Sequence, residues 1–167
     1  QHEHRSGQKW RVENAMLLPE YDDLPARNNA LFNIEGKLLL AALRTNSEDS
    51  CATNVRRFLA VRLARQRELD KRFVEFEKAA ESNEGLAEYS GTKAVMLAFD
   101  AQLHQRLPLS LNANNANFFV SRKFQRLDSL SYFGKNVRLK FYYTGSVQAL
   151  LLDRFLPSWK ERVQNGS

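Results

Sequence analysis

The longest stretch of the chain without proline or glycine runs from Lys37 to Glu84, and residues 55–76 within it set the strongest constraint on the fold. Val55, Leu59, Leu63, Leu69, Phe73 and Phe76 recur there at intervals that form a stripe along an α-helix, with arginines on the remaining faces. Such a segment cannot alternate as a strand does. It predicts one long helix, about 50–80, bent near Leu69, whose basic faces are solvated. Anion, membrane or nucleic-acid contact is the less common alternative for a charge run of this kind.

Helical periodicity extends to the neighbouring segments. Leu31, Ile34, Leu38 and Ala41 give an amphipathic helix over 29–44, capped by Asn28 or Asn29, and the TNSEDSCATN stretch that follows is a loop rich in cap-forming residues. GLAEYSGTKAVMLAFDAQLHQRL is expected to be a helix ending before Pro108, and a last helix runs from about Leu139 to Phe155. The opening 28 residues are polar and interrupted by Pro19 and Pro25, which reads as a broken helix and a loop. Residues 108–137 are Asn-rich and irregular, with room for short extended pieces at Phe118–Val120. The fold class expected is all-α, with four to five helices in a single domain spanning 1–167 that forms the C-terminal part of a longer protein.

Composition narrows the function classes. At 167 residues and 43% hydrophobic, the chain is long enough to bury a core, and it has no apolar run of the roughly 18 residues that a membrane-spanning helix requires. A single cysteine, Cys51, excludes an intrachain disulfide and a cysteine-based zinc cluster. The net charge of +6 is concentrated in 55–72, with seven Lys/Arg against two acids, and in 121–140, with six against one. No nucleic-acid-binding signature accompanies that charge, so nucleic acid is not the expected partner. No glycine-rich phosphate loop or G-x-S-x-G elbow is present, which weighs against nucleotide-dependent and serine-hydrolase chemistry.

The stretch ESNEGLAEYSG, 81–91, poses the sharpest question. On a helix, Glu84 and Glu88 share a face, where like charges four apart repel. That face continues through Gly91, Val95, Ala98 and Ala101, so the carboxylates are expected to point toward other helices. A buried carboxylate needs a cation, strong donors or a raised pKa. On geometry alone, ion pairs with the abundant arginines are the commoner answer, and a metal site is the sharper one.

The letters NEGLAEY, 83–89, resemble the second metal-binding segment of the gluzincin metallopeptidases. In order along the chain, NIEGKLLLAAL, VRRFLAVRLARQREL, NEGLAEYSG and KFYYTGSVQALLLDRFLPSWKERV look like the C-terminal portion of bacterial, exported gluzincin-like peptidases. The resemblance implies that Glu84 is the third zinc ligand, that Glu88 orients a zinc-bound histidine, that the substrate is a peptide or protein, and that the location is exported or periplasmic. In such a site zinc acidifies a bound water, which attacks a peptide carbonyl.

The chain departs from the gluzincin pattern in its histidines. H-E-x-x-H places two imidazoles on one helical face, whereas this chain holds only His2, His4 and His104. His2-Glu3 begins such a motif, but Ser6 stands where the second histidine belongs. Because the chain opens on Gln1, the motif is expected immediately upstream; degeneration of the site is the alternative. Without it the isolated chain is expected to be inactive. Glu35, His2 and His4 are the alternative ligands. Tyr143 and Tyr142 are the candidates for an oxyanion donor, the competing and commoner role for either being an aromatic core residue of the last helix. A second, different function class is a non-catalytic helical module whose basic faces bind an anionic partner, with Glu84 and Glu88 paired to arginines.

Overall fold

The computed structural model describes residues 13–22, 26–101, 116–133 and 137–164. The described residues are helical nearly throughout, which bears out the all-α expectation, and none of them is assigned to a strand. A 3-10 turn, Ala15–Leu17, leads into a short helix α1, Leu18–Asp22. Helices α2, Ala26–Arg44, and α3, Glu48–Glu68, form an antiparallel hairpin. Helix α4, Lys71–Ala80, continues through a π-helical turn, Glu81–Gly85, into α5, Leu86–Asp100. Helix α6, Ala116–Lys123, runs into a 3-10 segment, Phe124–Phe133, and is followed by α7, Val137–Phe155, and α8, Trp159–Gln164.

The breaks follow local chemistry. Ser47 caps α3 by accepting a hydrogen bond from Ser50 N at 3.3 Å, and Glu48 and Asp49 occupy the first turn, where carboxylates suit the helix dipole. At the far end Leu69 turns extended, and Asp70 caps α4 by accepting from Arg72 N at 2.8 Å. The bend anticipated near Leu69 is thus a full break between two helices, and the structure holds more helices than four or five. Asn28 is no cap: it lies inside α2, buried, where its Oδ1 accepts from Arg65. Phe118–Val120, where extended pieces had room, is helical because Val120, Phe124 and Leu127 bury one helical stripe. Residues 102–115, which hold His104, the expected helix end before Pro108 and the start of the Asn-rich stretch, lie outside the described residues, as do 134–136.

The core is aromatic. Phe141 of α7 meets Tyr21, Phe32 and Phe76 with ring centroids 5.7 Å apart in each case, and Phe124, Leu127, Leu39 and Val147 close around them. Each such side chain, fully buried, contributes about 2–3 kcal/mol. Helix α7 crosses the π-helical turn at Gly85 and Gly145, where a Cβ on Gly85 would lie 2.5 Å from the Gly145 Cα. Glycine at both positions is what permits backbone-to-backbone approach. A smaller cluster of Tyr89, Ala149 and Trp159 holds α8 against α5 and α7.

Two helices present different faces from those their periodicity suggested. In α3 the buried stripe is Cys51, Phe58 and Arg65, while Leu59 and Leu63 are 48% and 55% exposed. In α2 the buried residues include Phe32, Glu35, Leu39 and Ala42, while Ile34 is 44% exposed and Ala41 is exposed. The solvated arginine faces expected of α3 hold only for part of that helix, because carboxylates from α2, α4 and the π-helical turn draw Arg62 and Arg65 inward.

Candidate functional site

Four helical segments build a buried ionic cluster. Arg65, 1% exposed, donates through Nε to Glu35 at 2.6 Å and through Nη1 and Nη2 to the two oxygens of Glu77 at 2.5 and 2.8 Å. Arg62 donates through Nε to the other oxygen of Glu35 at 3.0 Å and grips both oxygens of Glu81 at 2.7 Å. Tyr21 donates its hydroxyl to Glu77, and Thr144 donates to Glu81 at 2.6 Å. The rings of Phe58 and Phe32 stack under Arg62 and Arg65, 4.6 Å from guanidinium carbon to centroid. Fork-shaped guanidinium groups match paired carboxylate oxygens, which makes arginine and not lysine the residue suited to this position.

The environment pulls the carboxylates apart. Burial pushes Glu35 upward, and the nearby Glu77 charge adds to this, so Arg62 and Arg65 do not bring it back to the ordinary range. Burial acts upward on Glu81 too, but there the Arg62 charge and hydrogen bonds, with those of Thr144 and Gln148, hold the carboxyl below its ordinary value. Burial raises the Tyr21 hydroxyl well above its ordinary range, and the Glu77 charge reinforces it. Three carboxylates meet two guanidinium groups here, and the buried Lys140 stands beside them with its ammonium nitrogen 5.9 Å from the Phe32 centroid.

Glu84 sits at the edge of this core, on the π-helical turn. Its carboxylate is paired with Arg138 of α7, which also donates to Glu13 at 3.0 Å, so one guanidinium ties the segment entering α1 to the NEGLAEY stretch. Tyr142, one turn further along α7, stands close enough to Glu84 that the carboxylate, together with burial, raises the phenol above its ordinary value. It therefore stays protonated at neutral pH, as a donor. Glu88 turns elsewhere and pairs with Lys123 of α6 at 2.7 Å. Both carboxylates are partly exposed, at 20% and 29%, and the face they begin is not the inward one expected: Gly91 and Ala101 are exposed, while Tyr89, Thr92 and Phe99 are buried.

The sequence-derived candidates thus separate into groups. Glu84 and Tyr142 come together. Tyr143 packs edge-on against Phe124 at 5.9 Å, and Glu35 belongs to the arginine cluster, completely buried. His2 and His4 lie outside the described residues. Glu77 and Glu81 escaped attention in the sequence, although their spacing of four, facing arginines three apart at 62 and 65, is the signal that marks them. As a zinc site the described residues do not suffice. A catalytic zinc takes three protein donors, and among the described residues no group of three His, Cys, Asp or Glu side chains converges. Comparison with family models, with curated proteins and with solved structures finds no match to this chain.

Proposed function

We propose that this chain contributes Glu84 to a gluzincin-like zinc centre for peptide-bond hydrolysis, completed by histidines outside the described residues. The observation that carries the reading is Arg138, which joins Glu13 to Glu84 and so brings the segment following His2 and His4 alongside the NEGLAEY stretch. Tyr142 at the same carboxylate supports it, as a protonated donor, and so does the π-helical turn, a distortion that is frequent at functional sites. Metal at Glu84 would require Arg138 to release that carboxylate while keeping Glu13. Zinc analysis of the full-length protein tests the reading: one metal per chain is expected, lost in Glu84→Ala. Stoichiometric zinc in Glu84→Ala would remove the ligand assignment, and a zinc-free wild type would remove the peptidase reading.

The ion pairs Arg138–Glu84 and Lys123–Glu88 favour a second reading, a non-catalytic helical module for an anionic partner, in which both glutamates are structural. Surface pairs of this kind are worth about 0–1 kcal/mol each. Under that reading Glu84→Ala costs little stability and leaves the partner-binding surface intact.

A further inference from the structure

We infer that the outer face of α3 docks on an anionic lipid surface. This sharpens the second reading and is independent of whether Glu84 binds metal. Helix α3 packs chiefly against α2, so one side of its 21 residues faces outward. At 100° per residue, Leu59, Leu63, Arg56, Ala60 and Arg67 fall within an arc of about 100°, and Arg57 flanks it. All six are exposed, with Leu59 and Leu63 at 48% and 55%. Among the described residues no carboxylate lies within ion-pair distance of Arg56, Arg57 or Arg67, in contrast to Arg62 and Arg65 on the opposite side.

The neighbouring helix has the same character. On α2, Ile34 and Lys37 are exposed, and the helix's one acidic residue, Glu35, is buried. The acids of α3 stand only at its ends, Glu48 and Asp49 in the first turn and Glu68 at the last residue. The middle of the outer face of α3 thus offers cations interleaved with large aliphatic side chains and no negative charge of its own.

That pairing selects the occupant. A nucleic acid would use the arginines and leave the leucines in water, since no aromatic side chain for base stacking stands among them. A bilayer interface uses both: guanidinium groups meet lipid phosphates while leucines enter the acyl boundary, and long basic side chains reach outward from a convex helix. The internal ion pairs also explain why the leucines of this helix face outward. Its arginine pair is held by internal carboxylates, so two leucines that could have lined the core stay outside.

Co-sedimentation of the full chain with phosphatidylcholine vesicles, with and without phosphatidylglycerol, tests the proposal. Binding is expected only with the anionic lipid and is expected to weaken as salt rises. Arg56→Gln/Arg57→Gln/Arg67→Gln is expected to lower affinity about a hundredfold, and Leu59→Ser/Leu63→Ser about tenfold. Circular dichroism melts accompany both variants, since these exposed positions should leave the fold unchanged. Equal binding to both vesicle types, unaltered binding by the folded arginine variant, or binding to duplex DNA or a polyglutamate peptide without binding to vesicles would overturn it. The last outcome would leave an anionic-partner module standing without a membrane role.

Discussion

Arg65 shows how much a single residue decides here. Its guanidinium satisfies Glu35 and Glu77 at once and lies over the Phe32 ring, all out of water. Replacing one partner of a buried pair strands the other, which costs about 3–5 kcal/mol. Arg65→Met is therefore expected to lose about that much in urea unfolding, and Arg65→Met/Glu77→Gln to recover part of the loss because the stranded charge is gone. A double variant no more stable than the single would show that Glu77 is not the group left uncompensated. None of this was evident from periodicity. Arg62 and Arg65 looked like members of a solvated face, and only carboxylates arriving from other helices give them an inward direction.

At the scale of elements, the crossing of α7 over the π-helical turn fixes the position of Glu81 and Glu84. A Cβ on Gly145 would lie 2.5 Å from the Glu81 carbonyl oxygen and 2.9 Å from the Gly85 Cα, so neither backbone can move away cheaply. Gly145→Ala is expected to cost about 2–3 kcal/mol. Gly91, in α5, has nothing within 4 Å of its added methyl group, and Gly91→Ala is expected to gain about 0.5–1 kcal/mol from helix propensity alone. Thermal melts of the two variants should shift in opposite directions, and a common direction would contradict the crossing geometry. Helix existence and the cap-forming stretch that holds Ser47 were legible because they depend on neighbours within one turn, whereas the Asp70 cap that splits the expected 50–80 helix was not read there. The π-helical turn was not, since it depends on how α7 and Arg62 draw Glu81 inward.

For the whole molecule, acid is the expected weakness. Asp153 accepts hydrogen bonds from Tyr89 and Trp159 and pairs with Lys93 and Lys160, each at 3.2 Å, tying α5, α7 and α8 together. Burial acts upward on this carboxyl, but the donors Trp159, Tyr89, Lys160 and Lys93 hold it down at about 2 against an ordinary 3.8. Between those values the unfolded chain binds more protons, so this stabilisation is complete above about pH 4 and is lost as pH falls toward 2. It amounts to on the order of 1–2 kcal/mol once solvent screening is allowed for. Glu81, also depressed, acts in the same direction; Glu35, raised by burial, opposes them by losing stability as pH rises through its folded value. Acid titration followed by tryptophan fluorescence should show Asp153→Asn less stable at neutral pH but with a shallower loss between pH 4 and 2. An unchanged slope would remove Asp153 as its source.

Taken by itself, the sequence determined that the chain is helical, where several helices begin and end, and that cations exceed acids on α3, because these depend on composition and on contacts within a turn. It also marked Glu84 as a residue of unusual context. The tertiary structure alone decided which faces turn inward. A helix can bury leucine or arginine at nearly the same spacing, and the choice falls to the partners that other helices bring. Here Glu35 arrives from α2 and Glu77 and Glu81 from α4 and the π-helical turn that continues it, the arginines turn in to meet them, and Leu59 and Leu63 are left outside.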